Sequence, residues 1–224
     1  MRRTIYTAAL AAAFMIAAPA FAADTAPLPD GFESAGASTV PGLYAHGVDF
    51  ESRLALEQSM IAAEKSCQAR GRTLDYAGDR RRWTDTEYWL YRSGDVTVVF
   101  ESRGTVDVDV DHCKVTFAEK RKVSRGTDEA GAWPSPFRGG HGCSRVAKNC
   151  YTETKFGIKA RCSAEGNGFQ GSRHCVSVDR GVSRGLLLES VYESDDMSGS
   201  GFIVTDLKCD ASLDASLFDR SHAW

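Results

Sequence analysis

The chain has 224 residues, with 27 Lys and Arg against 30 Asp and Glu, a formal charge of −3. So mild a balance excludes recognition of nucleic acid or an anionic membrane surface by charge over the whole chain. The length suffices for one domain with a real hydrophobic core, and no apolar run reaches the roughly 20 residues of a membrane-spanning helix.

The first 22 residues read as a cleavable leader. Arg2 and Arg3 form a basic start, Ile5 to Ala18 carry no charge, and Ala20-Phe21-Ala22 has the small-x-small pattern of a cleavage site. Arg2-Arg3 also fits a twin-arginine leader, so the export route stays open. Cleavage after Ala22 leaves 25 basic against 30 acidic side chains, and no cysteine before Cys67 to take a lipid anchor. The expected product is periplasmic or secreted, soluble and not stably inserted in a membrane.

Residues 23–48 are rich in Ala, Gly, Ser and Pro, with Pro27, Pro29 and Pro41, and are expected to form a flexible N-terminal arm ahead of a single α+β domain over 49–224. The domain opens with a helix: Asp49 can cap it, Leu56, Met60, Ala63 and Cys67 recur at helical spacing, and Gly71 stops it. Strands follow at Tyr88 to Arg92 and Val96 to Ser102, joined across Ser93-Gly94-Asp95. From Thr105 to Asp111 the alternation is strict, with Val106, Val108 and Val110 on one face and Asp107, Asp109 and Asp111 on the other. The apolar parity then slips to Cys113, Val115 and Phe117, which predicts a bulge or bend near His112.

Arg125 to Gly142, with Pro134, Pro136 and Gly139-Gly140, reads as a long surface connection. Strand-like runs return at Tyr151 to Arg161, Arg173 to Asp179, Gly185 to Tyr192 and Phe202 to Lys208, between glycine-bearing turns. About seven strands and one helix predict an α+β class, a curved or meandering antiparallel sheet with the helix packed on it.

Seven cysteines in an oxidising compartment predict disulfides and one thiol left over. Cys162 and Cys175 flank a glycine-rich turn symmetrically, so antiparallel pairing sets them opposite each other. Cys143 with Cys150 across a short loop is the next pair, and Cys67 with Cys113 the third, leaving Cys209. His112, His141 and His174 lie beside cysteines, but neighbours on a strand point to opposite faces and zinc spacing is missing, so no metal site is expected. The three aspartates likewise lack the glycine and glutamate of a calcium loop, and Arg80-Arg81-Arg82 is too short a run to imply nucleic acid.

One motif has a catalytic look. Gly181-Val182-Ser183-Arg184-Gly185 matches the G-x-S-x-G elbow, with Asp206 and His222 downstream in the order of a hydrolase triad. In that reading Ser183 attacks a carbonyl, His222 takes its proton and Asp206 orients the imidazole. The elbow needs a helix after it, whereas Leu186 to Tyr192 reads as a strand, so a hairpin turn explains the same five residues.

Arg145 to Asp219 carries a cysteine-bearing strand, a glycine hairpin, a second strand with cysteine, a glycine-led apolar strand and a closing strand. It ends in Val204-Thr205-Asp206-Leu207 and Leu213-Asp214-Ala215-Ser216-Leu217-Phe218. The pattern, about a third of the chain, resembles the C-terminal half of periplasmic half-barrel proteins of the lipoprotein-carrier type. That resemblance implies a strongly curved sheet with a helix in its concave side and an apolar cleft between them for an acyl chain or partner peptide. The extra cysteines and the long Gly/Pro connection depart from it.

The resulting expectation is a non-enzymatic periplasmic binding module, without cofactor, whose concave face is lined by Leu56, Met60, Trp89, Val98, Leu187 and Val204. Its partner is an apolar small molecule or an envelope protein. The alternatives are a secreted serine hydrolase using Ser183, and an envelope protein inhibitor acting through the loop Trp133 to Cys143.

Overall fold

The computed structural model describes residues 24–34, 38–50, 54–78, 85–127, 133–140, 142–143, 148–166, 170–194 and 199–219. The expected leader, Arg80 to Arg82, His141 and His222 lie outside the described residues. In chain order the elements are β1 (Thr39–Phe50), α1 (Leu54–Ala69), β2 (Asp75–Ala77), β3 (Thr86–Ser93), β4 (Val96–Asp109) and β5 (Lys114–Thr127). Then come β6 (Cys150–Lys155), β7 (Ile158–Gly166), β8 (Gly171–Ser177), β9 (Leu187–Glu193), β10 (Gly199–Asp214) and a closing 3-10 helix, Ala215–Phe218.

All ten strands join one sheet in the order β2-β5-β4-β3-β1-β10-β9-β8-β7-β6. The class is the expected α+β: a curved, unclosed, mostly antiparallel sheet with one main helix and three disulfides. Two meanders, β3 to β5 and β6 to β10, are bridged by β1, which pairs antiparallel with β3 on one side and β10 on the other. Short β2 adds in parallel to the start of β5.

Alternation sends successive side chains of each strand to opposite faces. On one face Leu43, Leu90, Leu188 and Phe202 pack with Trp133 and Phe137. On the other, Tyr44, Tyr91, Val98 and Phe100 pack under residues 26–32 and the 3-10 helix. Beyond them a small cluster of Met60, Val115 and Phe117 holds α1. Met60, Ala63 and Cys67 are buried as the helical spacing predicts. Gly71, at φ +69°, ends the helix: the Gly71 N–H donates to the Gln68 carbonyl, and the Arg70 and Arg72 N–H groups to that of Cys67.

The disulfides are Cys67–Cys113, Cys143–Cys150 and Cys162–Cys175, with Cys209 free, as the spacings predict. Cys162 and Cys175 are direct cross-strand partners of β7 and β8, with Cα atoms 4.1 Å apart.

Several expectations are corrected. The expected flexible arm does not reach residue 48: Thr39 onward is the central strand, and Leu43, Tyr44 and Ala45 are buried. Asp49 belongs to β1, paired with Phe202 and Thr86. The parity slip near His112 is a chain reversal between β4 and β5, with Cys113 at φ 57°. Asp109 closes that turn, its carboxylate accepting from the His112 N–H at 3.0 Å and Nδ1 at 2.7 Å. These bonds hold the Asp109 carboxyl below its ordinary pKa, the backbone one contributing most.

Tyr151 to Arg161 is two strands, reversed at Phe156-Gly157, both at positive φ (52° and 76°). The connection after β5 is no mere surface excursion, because Trp133 and Phe137 are 2% and 0% exposed and plug the core. The Trp133 indole also donates to the Arg184 carbonyl at 2.8 Å.

Candidate apolar groove

The segment 24–34 lies across the sheet because its backbone has partners there. The Ala26 N–H donates to the Ser212 carbonyl at 3.0 Å, and the Tyr91 hydroxyl to the Pro27 carbonyl at 2.6 Å. Burial raises the Tyr91 hydroxyl pKa far above its ordinary range, so it stays a donor. Phe32 packs edge-on against Phe100, ring centroids 5.1 Å apart.

Between this strap and the surface of β3, β4 and β5 runs a groove of about 300 Å³. Its floor is apolar: Trp89, Phe100 and Val123, with Phe32 on the wall. A polar strut crosses one end. Arg121 donates two hydrogen bonds to the Glu119 carboxylate, at 2.9 and 3.0 Å, and a third to the Asp30 carbonyl at 2.9 Å. Ser102 donates to the same carboxylate at 2.5 Å. Gly31 sits at φ +77°, and a Cβ there would lie 2.6 Å from the Arg121 guanidinium, so glycine lets the strut reach the strap. The carboxylate partner raises the Arg121 pKa further and fixes its charge.

Trp89 also stacks beside His46, centroids 5.0 Å apart. The His46 Nδ1 meets the Thr205 hydroxyl at 2.6 Å, and its Nε2 lies 3.6 Å from Glu87.

The six expected ligand liners do not form one surface. Leu56 and Met60 meet under α1, Trp89 and Val98 share the Tyr91 cluster, and Leu187 and Val204 lie in the cluster of Trp133. Val98, Leu187 and Val204 are 0%, 6% and 3% exposed, so they pack the core, and Trp89 alone lines the groove. Sequence reasoning missed Phe32, Phe100, Glu119, Arg121 and Val123, because the strap facing them read as a loose arm. The one signal was aromatic Phe32 inside a Pro/Gly-rich stretch.

Ser183 sits in the loop between antiparallel β8 and β9, not at a strand-to-helix elbow. It is 1% exposed, and its hydroxyl shares a 3.1 Å hydrogen bond with that of Ser177. Its other polar neighbour is the Cys209 thiol, whose pKa burial raises. Cys209 packs on the Trp133 side of the sheet, whereas Asp206 acts on Tyr44 on the opposite side, so Ser183 and Asp206 are not brought together.

Among the described residues, Glu153, Cys162 and Cys175 are the one group of three with metal-ligand atoms within 4.8 Å, and its two sulfurs are bonded to each other. No helix among the described residues is long and apolar enough to cross a membrane. Comparison of the chain with protein-family models, curated proteins and solved structures found no match.

Proposed function

We propose that this chain is an exported, non-enzymatic binding module that seats an apolar segment, foremost an acyl chain, in the groove between the 24–34 strap and β3 to β5. The observation that carries the reading is the apolar floor of Trp89 and Val123, seated on the buried Phe100, beneath a strap held by hydrogen bonds. A groove of about 300 Å³ lies at the small end of ligand sites, which run from about 300 to 1,000 Å³ and are mostly apolar with a few placed polar groups. The Arg121–Glu119 strut supplies those polar groups and fixes the wall before any ligand arrives. Export to the periplasm is supported by the basic, apolar and small-x-small pattern of residues 1–22 and by three disulfides. N-terminal sequencing of periplasmic protein is expected to begin at Ala23.

The groove is tested by titrating the mature protein with a fluorescent fatty acid. Saturable binding at micromolar ligand is expected, and Trp89→Ala should weaken it by about tenfold or more, the usual effect of removing a buried aromatic anchor. The proposal fails if binding does not saturate, or if folded Trp89→Ala protein binds as the parent does.

A further inference from the structure

A second cavity, remote in sequence from the groove residues, has the opposite chemistry. It encloses about 620 Å³ beside the β6–β7 hairpin and the loop after β8, and Lys159, Arg161 and Arg180 line it with Tyr151 and Thr152. Those three cationic side chains have no hydrogen-bond or ion-pair partner among the described residues, whereas cations nearby are committed. Lys155 meets Glu189 at 2.5 Å, and Arg173 meets Glu153 at 2.7 Å. Asp179 is the sole acidic residue of the lining, and its carboxylate is turned to the backbone, accepting the Lys159 N–H at 3.1 Å.

The walls are fixed as well as charged. The Cys143–Cys150 disulfide pins the start of β6, and Cys150 is itself part of the lining. On the far side the Val178 N–H donates to the Lys159 carbonyl at 2.9 Å; with the Asp179 contact this clasps the Arg180 loop to β7. Like charges gathered in one concavity repel, and an anion placed among them removes that repulsion. Guanidinium groups favour oxyanions that accept paired hydrogen bonds, and phosphate is the foremost of these. The chain as a whole is acidic, at −3, so this positive site is a local construction and not a by-product of net charge.

We infer that the cavity walled by Lys159, Arg161 and Arg180 is a binding site for a phosphate group, carried by a soluble phosphorylated molecule or by a lipid headgroup. Thr152 is the cross-strand partner of Arg161 and so shares its face, and its hydroxyl is a further donor to the same oxyanion.

The test uses the mature protein and two probes. Inorganic pyrophosphate is titrated calorimetrically at low and high salt, and vesicles of phosphatidylcholine, with and without phosphatidic acid, are tested by co-sedimentation. The expected result is saturable binding of at least one probe, weaker in high salt and reduced about tenfold or more in Arg161→Gln/Arg180→Gln. Pyrophosphate binding identifies a soluble ligand, and binding only to the phosphatidic acid vesicles identifies a headgroup. Lys114→Gln/Lys120→Gln removes exposed charge from β5 outside both cavities and should change nothing. If Arg161→Gln impairs folding, Lys159→Gln/Arg180→Gln serves in its place. The inference is overturned if neither probe saturates, or if the β5 control loses as much binding as the cavity variant. Trp89→Ala should keep pyrophosphate binding, so failure of the groove reading leaves this result standing.

Discussion

Replacing Cys67 and Cys113 together by alanine should destabilise the protein more than replacing Cys162 and Cys175, although the second pair joins two strands directly. Both pairs are buried, at 2% exposure or less, so the cost of truncating the side chains is similar and cancels in the comparison. The chain each bond closes differs: the sequence separations are 46 and 13. If the bonds act by restricting the unfolded chain, they contribute about 4 and about 3 kcal/mol, a difference of about 1.1 kcal/mol from the logarithm of loop length. With a urea slope of about 2–3 kcal/mol/M, that separates the midpoints by roughly 0.4 M.

Urea unfolding of both double variants, followed by far-UV circular dichroism and by tryptophan fluorescence, measures the difference. Two outcomes refute the reasoning. One is a lower midpoint for Cys162→Ala/Cys175→Ala. The other is loss of the helical signal in Cys67→Ala/Cys113→Ala at low urea while fluorescence stays native, which would mean that α1, held by the small cluster of Met60, Val115 and Phe117, detaches by itself.

Tyr91→Phe removes the buried hydroxyl that donates to the Pro27 carbonyl and should cost about 1 kcal/mol in a thermal or urea melt; an unchanged melt refutes the strap contact. Burial raises the hydroxyl pKa of Tyr44 and Tyr91 and pushes that of Tyr88 up to about 12. The unfolded chain therefore loses these protons first as the pH passes 10, and stability should fall by about 1.4 kcal/mol per pH unit for each of the fully buried Tyr44 and Tyr91. Native absorbance at 295 nm that rises together with that of denatured protein would refute this. Burial disfavours the Cys209 thiolate, so a disulfide reagent should label native protein slowly at neutral pH and find one thiol per chain in urea; rapid native labelling refutes the placement.

Local chemistry was legible in the sequence wherever it alone decides the structure. Ser93-Gly94-Asp95 turns β3 into β4 as expected, with Gly94 at φ +60°. The symmetric placement of Cys162 and Cys175 yields cross-strand partners because antiparallel register follows from the turn between them. Position in the sheet was illegible. β1 contains Pro41, Gly42 and Gly47, a composition that argues against a central strand. Gly42 is there because the chain is crowded: a Cβ would lie 2.2 Å from the Arg92 carbonyl oxygen. The reversal at Phe156-Gly157 was hidden because a Phe at φ 52° is an uncommon way to make a tight turn.

The same crowding accounts for what the candidate groove required and the sequence did not display. A strap can lie flat on a sheet only if its backbone polar groups find partners, and here they come from residues far along the chain. Ser212 accepts from the Ala26 N–H, Tyr91 donates to Pro27, and Arg121 donates to Asp30. None of these pairings has a local signature, because each joins segments at least 64 residues apart. The prolines and glycines that read as disorder suit such a role: Pro27 and Pro29 offer carbonyl acceptors without an N–H to satisfy, and Gly31 admits the Arg121 guanidinium. A segment of this composition costs little to desolvate and leaves the apolar surface of Trp89 and Val123 partly uncovered. A regular strand or helix in its place would have covered that floor. The groove thus follows from covering this face of the sheet with a strap instead of a further layer, and the binding reading rests on that choice of cover.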